Sequence, residues 1–105
     1  MTDGILSLLG MCRRAGKLVI GAQPCIDSIS KRKSNLIICA NDFSRSSAKP
    51  VLEKAHQSDV KTLVLNRSKE EISLALGKLC GVVSVEDNGF AKKLTELINS
   101  EQGGE

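Results

Sequence analysis

The segment LIICA, residues 36–40, is apolar at every position. A strand with one face in water alternates apolar and polar side chains, whereas a strand covered on both faces is a continuous apolar run. This segment therefore predicts a central strand in a sheet that carries helices on both faces. A chain of 105 residues, of which 41% are hydrophobic, has room for one small domain of this kind.

Short apolar runs and helical apolar spacing alternate along the rest of the chain. The strand patterns cover residues 18–20, 36–40, 60–65 and 82–85. The helix patterns cover residues 4–15, a segment with Pro24 in its first turn, a segment that starts close to Ser47, a segment that starts at Ser68, and residues 87–98. This alternation predicts an α/β protein, a three-layer α/β/α sandwich formed as a single domain over residues 1–105, with residues 99–105 as a disordered tail.

Local signals predict where some of the helices begin. Proline lacks a backbone N–H and is tolerated in the first turn of a helix, so Pro50 predicts that the third helix does not begin much before Ser47. Ser68 and Glu71 have the spacing of a capping box, in which each side chain accepts a hydrogen bond from the backbone N–H of the other residue. The helix that follows is expected to present one apolar face, formed by Ile72, Ala75, Leu76 and Leu79.

Positive charge is concentrated in the first half of the chain. Residues 1–50 contain eight Lys or Arg against three acidic residues, whereas residues 51–105 contain seven against nine. The basic residues gather at Arg13, Arg14 and Lys17 and again at Lys31, Arg32 and Lys33. A one-sided basic cluster is typical of a surface that meets a phosphate backbone. The same residues are favoured at solvated helix ends, and the sequence leaves both interpretations open.

The residue types needed for catalysis or metal binding do not form a recognised pattern. Four cysteines are spaced without a Cys-x-x-Cys pair and there is a single histidine, His56, so no zinc quartet is expected. No phosphate-binding glycine loop is present. Asp42 follows a strand, where active-site acids often lie, but turn formation and helix capping explain this residue equally well. We therefore expect a protein that is not an enzyme and that needs no metal and no cofactor.

Composition also favours a cytoplasmic location and excludes the binding of single-stranded bases by aromatic stacking. The cysteines lie in or beside apolar segments and are expected to be buried, reduced thiols, which favours a cytoplasmic location. The chain begins without a charged and apolar leader and has no apolar run near the roughly 20 residues of a membrane span, so no membrane association is expected. Aromatic residues make up only 2%, which excludes a surface that stacks single-stranded bases on aromatic rings.

Four segments together resemble a known family. They are LLGMCRRAGKLVIGAQ, LIICANDFS, SKEEISLALGK and VVSVEDNGFAKKL, which match in register over residues 4–98. The family is that of the kink-turn-binding ribosomal proteins called L-seven-Ae, with the related L-thirty-e proteins. DNGFAKKL in particular is similar to its small bacterial, YlxQ-like branch.

The resemblance implies an α/β/α domain with a four-stranded mixed sheet of the L-thirty-e type, which binds structured RNA such as ribosomal RNA or another sharply bent duplex. The family's binding surface consists of the glycine after the first strand, polar residues that open the next helix, nearby basic residues and the loop before the fourth helix. On this chain the candidate RNA-binding residues are Arg14, Lys17, Gly21, Gln23, Lys31, Asp42, Ser68 and Lys69. A glycine lets nucleic acid approach the backbone, and the N–H groups at the following helix start attract phosphate.

Five positions depart from the family's kink-turn-binding pattern. Two of them are Ile72 and Ser73, which stand where the family has a Leu-Gly step. Gln23 and Pro24 stand where those proteins have an Asn-Glu pair, and Asp27 stands where they have a lysine. Gln23 can still hydrogen-bond a base edge, but the side chain of Pro24 has neither donor nor acceptor, and Asp27 repels phosphate. Two hypotheses follow. One is a monomeric RNA-binding protein associated with the ribosome or translation factors. The other is a protein-interaction module of the translation machinery that keeps the fold without specific kink-turn binding.

Overall fold

Five helices and four strands alternate along the part of the chain that the computed structural model describes, residues 3–103. The elements are α1 Gly4–Arg14, β1 Leu18–Ile20, α2 Ala22–Ser30, β2 Leu36–Ala40, α3 Arg45–Gln57, β3 Thr62–Leu65, α4 Lys69–Leu76, β4 Val82–Val85 and α5 Asn88–Gly103. No helix within these residues is both long and apolar enough to cross a membrane.

The four strands form one mixed sheet in the order β1-β4-β2-β3. β4 runs antiparallel to both of its neighbours, whereas β2 and β3 are parallel. Val85 of β4 pairs with Leu18 of β1 on one side and with Leu36 of β2 on the other. As a result the end of β4 lies beside the starts of β1 and β2, and its start lies beside their ends.

The two faces of the sheet carry separate apolar clusters. Ile38 and Val83 belong to the larger cluster, which α1, α4 and α5 cover, while Ile37 and Cys39 belong to a second cluster with residues of α2 and α3. All five residues of β2 are buried. The three-layer α/β/α sandwich and the doubly covered central strand are thus confirmed.

Ser68 accepts a hydrogen bond from the Glu71 N–H and the Glu71 carboxylate accepts one from the Ser68 N–H, so the capping box is confirmed. The prediction for α3 was wrong by two residues. α3 begins at Arg45 because the side chain of Ser44 caps it, and Pro50 is therefore the sixth residue of the helix rather than part of its first turn.

The apolar face expected for α4 was wrong at its end. Gly77 adopts a left-handed conformation with φ 73° and caps the helix, which therefore ends at Leu76. Leu79 consequently lies outside α4 and its side chain is 85% exposed. Residues 99–105 were predicted to be a disordered tail, whereas α5 includes residues 99–103 and ends at Gly103. The remaining two residues of the predicted disordered tail, 104 and 105, lie outside the described residues.

Candidate functional site

The ends of β1 and β2 meet the start of β4 at one edge of the sheet. The Gly21 N–H donates to the Val82 carbonyl at 3.0 Å, and the Ala40 N–H donates to the Gly81 carbonyl at 2.8 Å. The turn that follows β2 lies at this same edge. The start of α4 lies there too, because Lys69 contacts Asp42 of that turn. We call this region the Gly21 edge. Five of the candidate residues lie on it, namely Gly21, Gln23, Asp42, Ser68 and Lys69.

Gly21 shapes the backbone at the start of α2. Its φ is 106°, a value that side-chain-bearing residues rarely adopt, so a glycine is required there. Gly21 occupies the N-cap position, and among the described residues no side chain caps this helix. The first N–H groups of a helix carry partial positive charge and need acceptors. The helix start is therefore a place where a ligand acceptor can bind, and the exposed side chain of Gln23 lies beside it.

Asp42 and Ser68 both stabilise the start of α4. Asp42 Oδ1 accepts a hydrogen bond from the Lys69 N–H at 2.8 Å, which ties the turn after β2 to the first residue of α4. Ser68 Oγ accepts from the Glu71 N–H at 3.1 Å. Both side chains are thus occupied by backbone donors of the protein itself. The side chain of Lys69, in contrast, is exposed.

Phe43 and Gly81 form the floor beneath Lys69, and sequence reasoning missed both. A Cβ atom added at Gly81 would lie 2.9 Å from Cε1 of Phe43, closer still to its Cδ1, and 3.2 Å from Cδ of Lys69. The absence of a side chain at position 81 therefore lets the aromatic ring and the lysine stem pack against the start of β4. A glycine directly before a predicted strand was the available signal.

A groove continues from this floor along α4, and sequence reasoning missed its apolar residues too. Leu74 is 78% exposed and Leu79 is 85% exposed, and the groove that they line also contains Lys69 and Lys78. Two acidic residues of the Gly21 edge, Asp42 and Glu70, line the same groove, so its charges are balanced. The exposure of Leu79 could have been predicted from Gly77. A glycine after a helix pattern is typical of a C-terminal cap, which places Leu79 beyond the end of the helix.

Three candidate residues lie away from the Gly21 edge. Arg14 ends α1, Lys17 precedes β1, and Lys31 follows α2. At 1.5 Å per residue, the nine residues of α2 separate Lys31 from Gly21 by roughly 15 Å. The expectation of one shared surface is corrected accordingly. β1 and α2 each carry the chain from one edge of the sheet to the other, so near neighbours in sequence lie at opposite ends.

Arg67, two residues before α4, is neutralised by ion pairs within the protein. Its Nε lies 2.6 Å from Asp3 Oδ2 and its Nη2 lies 2.7 Å from Glu101 Oε2. The hydrogen bonds from Arg67 to the two carboxylates raise the pKa of Arg67 above its ordinary value. The same hydrogen bonds lower the pKa of Asp3 and that of Glu101. Arg67 therefore holds α1 and α5 to the start of α4 rather than presenting a free cation at the Gly21 edge.

The thiols and the histidine form no reactive site. All four cysteines are free and buried, and burial raises the pKa of Cys25 to about 12 and that of Cys39 to about 11. Thiols with such pKa values are almost entirely protonated near neutral pH and are poor nucleophiles. His56 lies exposed on α3. In the described part of the chain, no group of three or more His, Cys, Asp or Glu side chains is placed to hold a metal ion.

The sequence resembles curated bacterial proteins over most of its length. It is 39% identical over 93 residues to the RNA-binding protein YlxQ of Enterococcus faecium, covering 89% of each chain. It is 34% identical over 97 residues to the RNA-binding protein YlxQ of Bacillus subtilis, covering 88% of this chain and 92% of that one.

Solved structures share the fold. A protein of unknown function from Bacillus halodurans superposes with a TM-score of 0.86 at 28% identity, covering 93% of this chain and 99% of that one. A 15.5kD RNA binding protein of Giardia lamblia superposes with a TM-score of 0.71 at 16% identity, covering 98% and 92%. The family model of the ribosomal protein L7Ae/L30e/S12e/Gadd45 family matches residues 3–95. This chain therefore belongs to that family.

Proposed function

We propose that this protein is a non-catalytic RNA-binding protein that holds a sharply bent, structured RNA against the Gly21 edge. The observation that carries the proposal is the meeting, at one edge of the sheet, of a side-chain-free backbone corner, an uncapped helix start and an exposed lysine. The names of the relatives from Enterococcus faecium and Bacillus subtilis, both called RNA-binding proteins, support it.

Each part of the Gly21 edge suits one part of such an RNA. The free N–H groups at the start of α2 and the ammonium group of Lys69 suit phosphate oxygens. The exposed amide of Gln23 suits a base edge, since it offers both a donor and an acceptor. Leu74 and Leu79 provide apolar surface against which an unstacked base can lie. A bent duplex offers unstacked bases and exposed edges, whereas the major groove of a regular A-form helix is too deep and narrow for side chains to read its base edges.

The test compares a kink-turn duplex with a plain duplex of equal length over a salt series. We expect tighter binding of the kinked duplex, and in Lys69→Glu a decrease of about one in the salt slope of log affinity, since one phosphate contact is lost. Lys93→Glu makes the same charge change on α5 and should bind as wild type. A carboxylate is favourable in the first turn of a helix, so Lys69→Glu should fold as stably as wild type. Equal affinities for the two duplexes would refute the proposal.

Asp27 gives a second, opposite test. Its exposed carboxylate lies on α2 and accepts a hydrogen bond from Gln23 Nε2 at 3.2 Å. Asp27→Lys removes a charge that repels phosphate, adds one that attracts it and frees the amide of Gln23. We expect it to bind the kinked duplex more tightly, with a salt slope steeper by about one. Asp27→Asn, which only removes the negative charge, should lie between wild type and Asp27→Lys.

A second candidate function is a protein-interaction module of the translation machinery. Pro24 offers no side-chain hydrogen bond where the family's RNA binders have a polar pair, and the exposed Leu74 and Leu79 form apolar surface of the kind found in protein interfaces. Capture experiments from cells, with and without ribonuclease, discriminate between the two. Ribosomal or translation partners retained after ribonuclease treatment, together with no preference for kinked RNA, would favour this second function.

A further inference from the structure

A second basic surface lies at the edge of the sheet opposite Gly21. Its residues lie at the end of α1 and in the turns that join α1 to β1 and α2 to β2, and all of their side chains are exposed. We call it the Lys17 edge, and it consists of Arg14, Lys17, Lys31, Arg32 and Lys33.

The two turns flank the end of β4 and are fixed by backbone hydrogen bonds. The Lys17 carbonyl accepts from the Glu86 N–H at 2.8 Å, and the Asn35 N–H donates to the Val85 carbonyl at 2.8 Å. Since β4 lies between β1 and β2, the two turns are separated by two strand spacings, or about 10 Å. The Lys33 N–H donates to the Ser28 carbonyl at 3.0 Å, so the second turn is held by α2. The backbone of the Lys17 edge is therefore well ordered beneath its exposed side chains.

The acidic residues between the two turns already serve the protein. Glu86 Oε2 accepts from Ser28 Oγ at 2.7 Å, and Asp87 Oδ2 accepts from the Phe90 N–H at 2.8 Å at the start of α5. Both acidic residues are half-buried. Within the described part of the chain, none of the five cations of the Lys17 edge forms an ion pair with them or with any other acid. Asp59 lines the same groove as Arg32, and Lys54 lines it too. Six positive charges against these three acidic residues leave a net positive surface.

Helix capping does not account for this surface. A helix attracts cations within its last turn, where α1 has Arg13 and Arg14. Arg13 is used in this way by the fold, since its guanidinium donates to the Leu76 carbonyl at the end of α4. Lys17 lies three residues beyond α1, and Arg32 and Lys33 lie beyond the cap residue of α2. The interpretation as a solvated helix end therefore covers only part of the cluster.

We propose that the Lys17 edge binds the phosphate backbone of a second RNA segment, so that one molecule of this protein joins two RNA segments at opposite ends of its sheet. The exposed large apolar side chains of the described chain all lie outside the two turns, which disfavours a protein partner with an apolar interface core. Contacts from Lys and Arg to phosphate oxygens carry no base readout, so binding at this surface depends on charge and not on sequence. The choice of RNA rests on the proposed function, whereas the surface itself stands on the charges.

The test immobilises a kink-turn RNA, saturates it with protein and measures capture of a labelled plain RNA duplex at low salt. Wild type should capture the duplex with one protein per pair of RNAs. Lys17→Glu/Lys33→Glu should bind the immobilised RNA unchanged but lose capture, and its salt slope for the plain duplex should fall by about two. Lys49→Glu/Lys93→Glu reverses two exposed charges on α3 and α5 and should retain both activities.

Three results would overturn the inference. They are capture unchanged in Lys17→Glu/Lys33→Glu, equal loss in the control variant, and a complex whose mass shows two protein copies between the RNAs. If Lys17→Glu/Lys33→Glu does not fold, as judged by circular dichroism, Lys17→Gln/Lys33→Gln replaces it with the same expected loss of capture. A wild type that shows no preference for kinked RNA, yet binds plain duplex through Lys17 and Lys33, would refute the proposed function and leave intact the assignment of a phosphate-binding surface to the Lys17 edge.

Discussion

Replacement of Gly81 by alanine should destabilise the protein through one neighbour, Phe43. The backbone of Gly81 is not in the left-handed region, so alanine causes no backbone strain. Its Cβ would lie 2.9 Å or less from the ring of Phe43, whereas carbon atoms pack at about 3.5–4.0 Å, so the ring must move by more than about half an ångström. Phe43 packs against the apolar clusters on both faces of the sheet. Overpacking of this kind costs about 2 kcal/mol, or a decrease in Tm of roughly 8–16 °C.

The cost of this clash can be measured by thermal and urea unfolding. The four proteins compared are wild type, Gly81→Ala, Phe43→Ala and the double variant. In the Phe43→Ala background the added methyl group has no ring to displace, so Gly81→Ala should cost much less than in wild type, and the difference is the coupling energy. Gly4→Ala is the matched control, because a Cβ there meets no atom within 4 Å. An equal cost in both backgrounds, or a Gly81→Ala variant as stable as wild type, would refute the packing described for Phe43.

Further predictions concern stability and thiol reactivity. Gly10→Ala, in the interior of α1, should raise the free energy of unfolding by about 0.5–1 kcal/mol in urea titrations, since alanine is the better helix former and its Cβ finds room. Because Arg67 lowers the pKa of Asp3 and Glu101, both carboxylates contribute stability above their unfolded pKa, near pH 4, and lose it as the pH falls further. The stability difference between wild type and Arg67→Met should therefore shrink on acidification, and a constant difference would contradict it. At pH 8 Cys25, with its pKa raised to about 12, should react with iodoacetamide only as fast as the protein unfolds, measured by mass spectrometry.

The elements of the fold were predictable because their signals are local. The uninterrupted apolar run of β2 and the capping box of α4 each depend on residues within a few positions of one another. The errors in helix bounds arose where a second local signal competed with the one used for the prediction. Ser44 caps α3 two residues before the expected start, which places Pro50 inside the helix, and Gly77 ends α4 before Leu79.

The site was only partly predictable because it depends on strand direction. Gly21 and Gly81 are sixty residues apart in sequence, yet β4 runs antiparallel to β1 and its start therefore lies beside the end of β1. Lys17 is only four residues from Gly21, but β1 lies between them and places it at the other edge. A pattern of apolar residues predicts that a strand exists, and it contains no information on which end of the sheet that strand points to.

The two edges also differ in how many of their polar side chains form hydrogen bonds within the protein. This difference decides which polar side chains can contact a ligand. Asp42 and Ser68 were carried over as contact residues by resemblance, but their oxygens accept hydrogen bonds from backbone N–H groups of the protein at the start of α4. Their contribution to binding is then to hold Lys69 in place. The exposed ammonium group of Lys69 is available to touch RNA directly, and so is the amide oxygen of Gln23, whose Nε2 donates to Asp27. Because the charges of the groove beside Lys69 balance, we expect the proposed binding at the Gly21 edge to depend on shape and on the start of α2, and the proposed binding at the Lys17 edge to depend on charge. Salt should therefore weaken the second contact more steeply than the first.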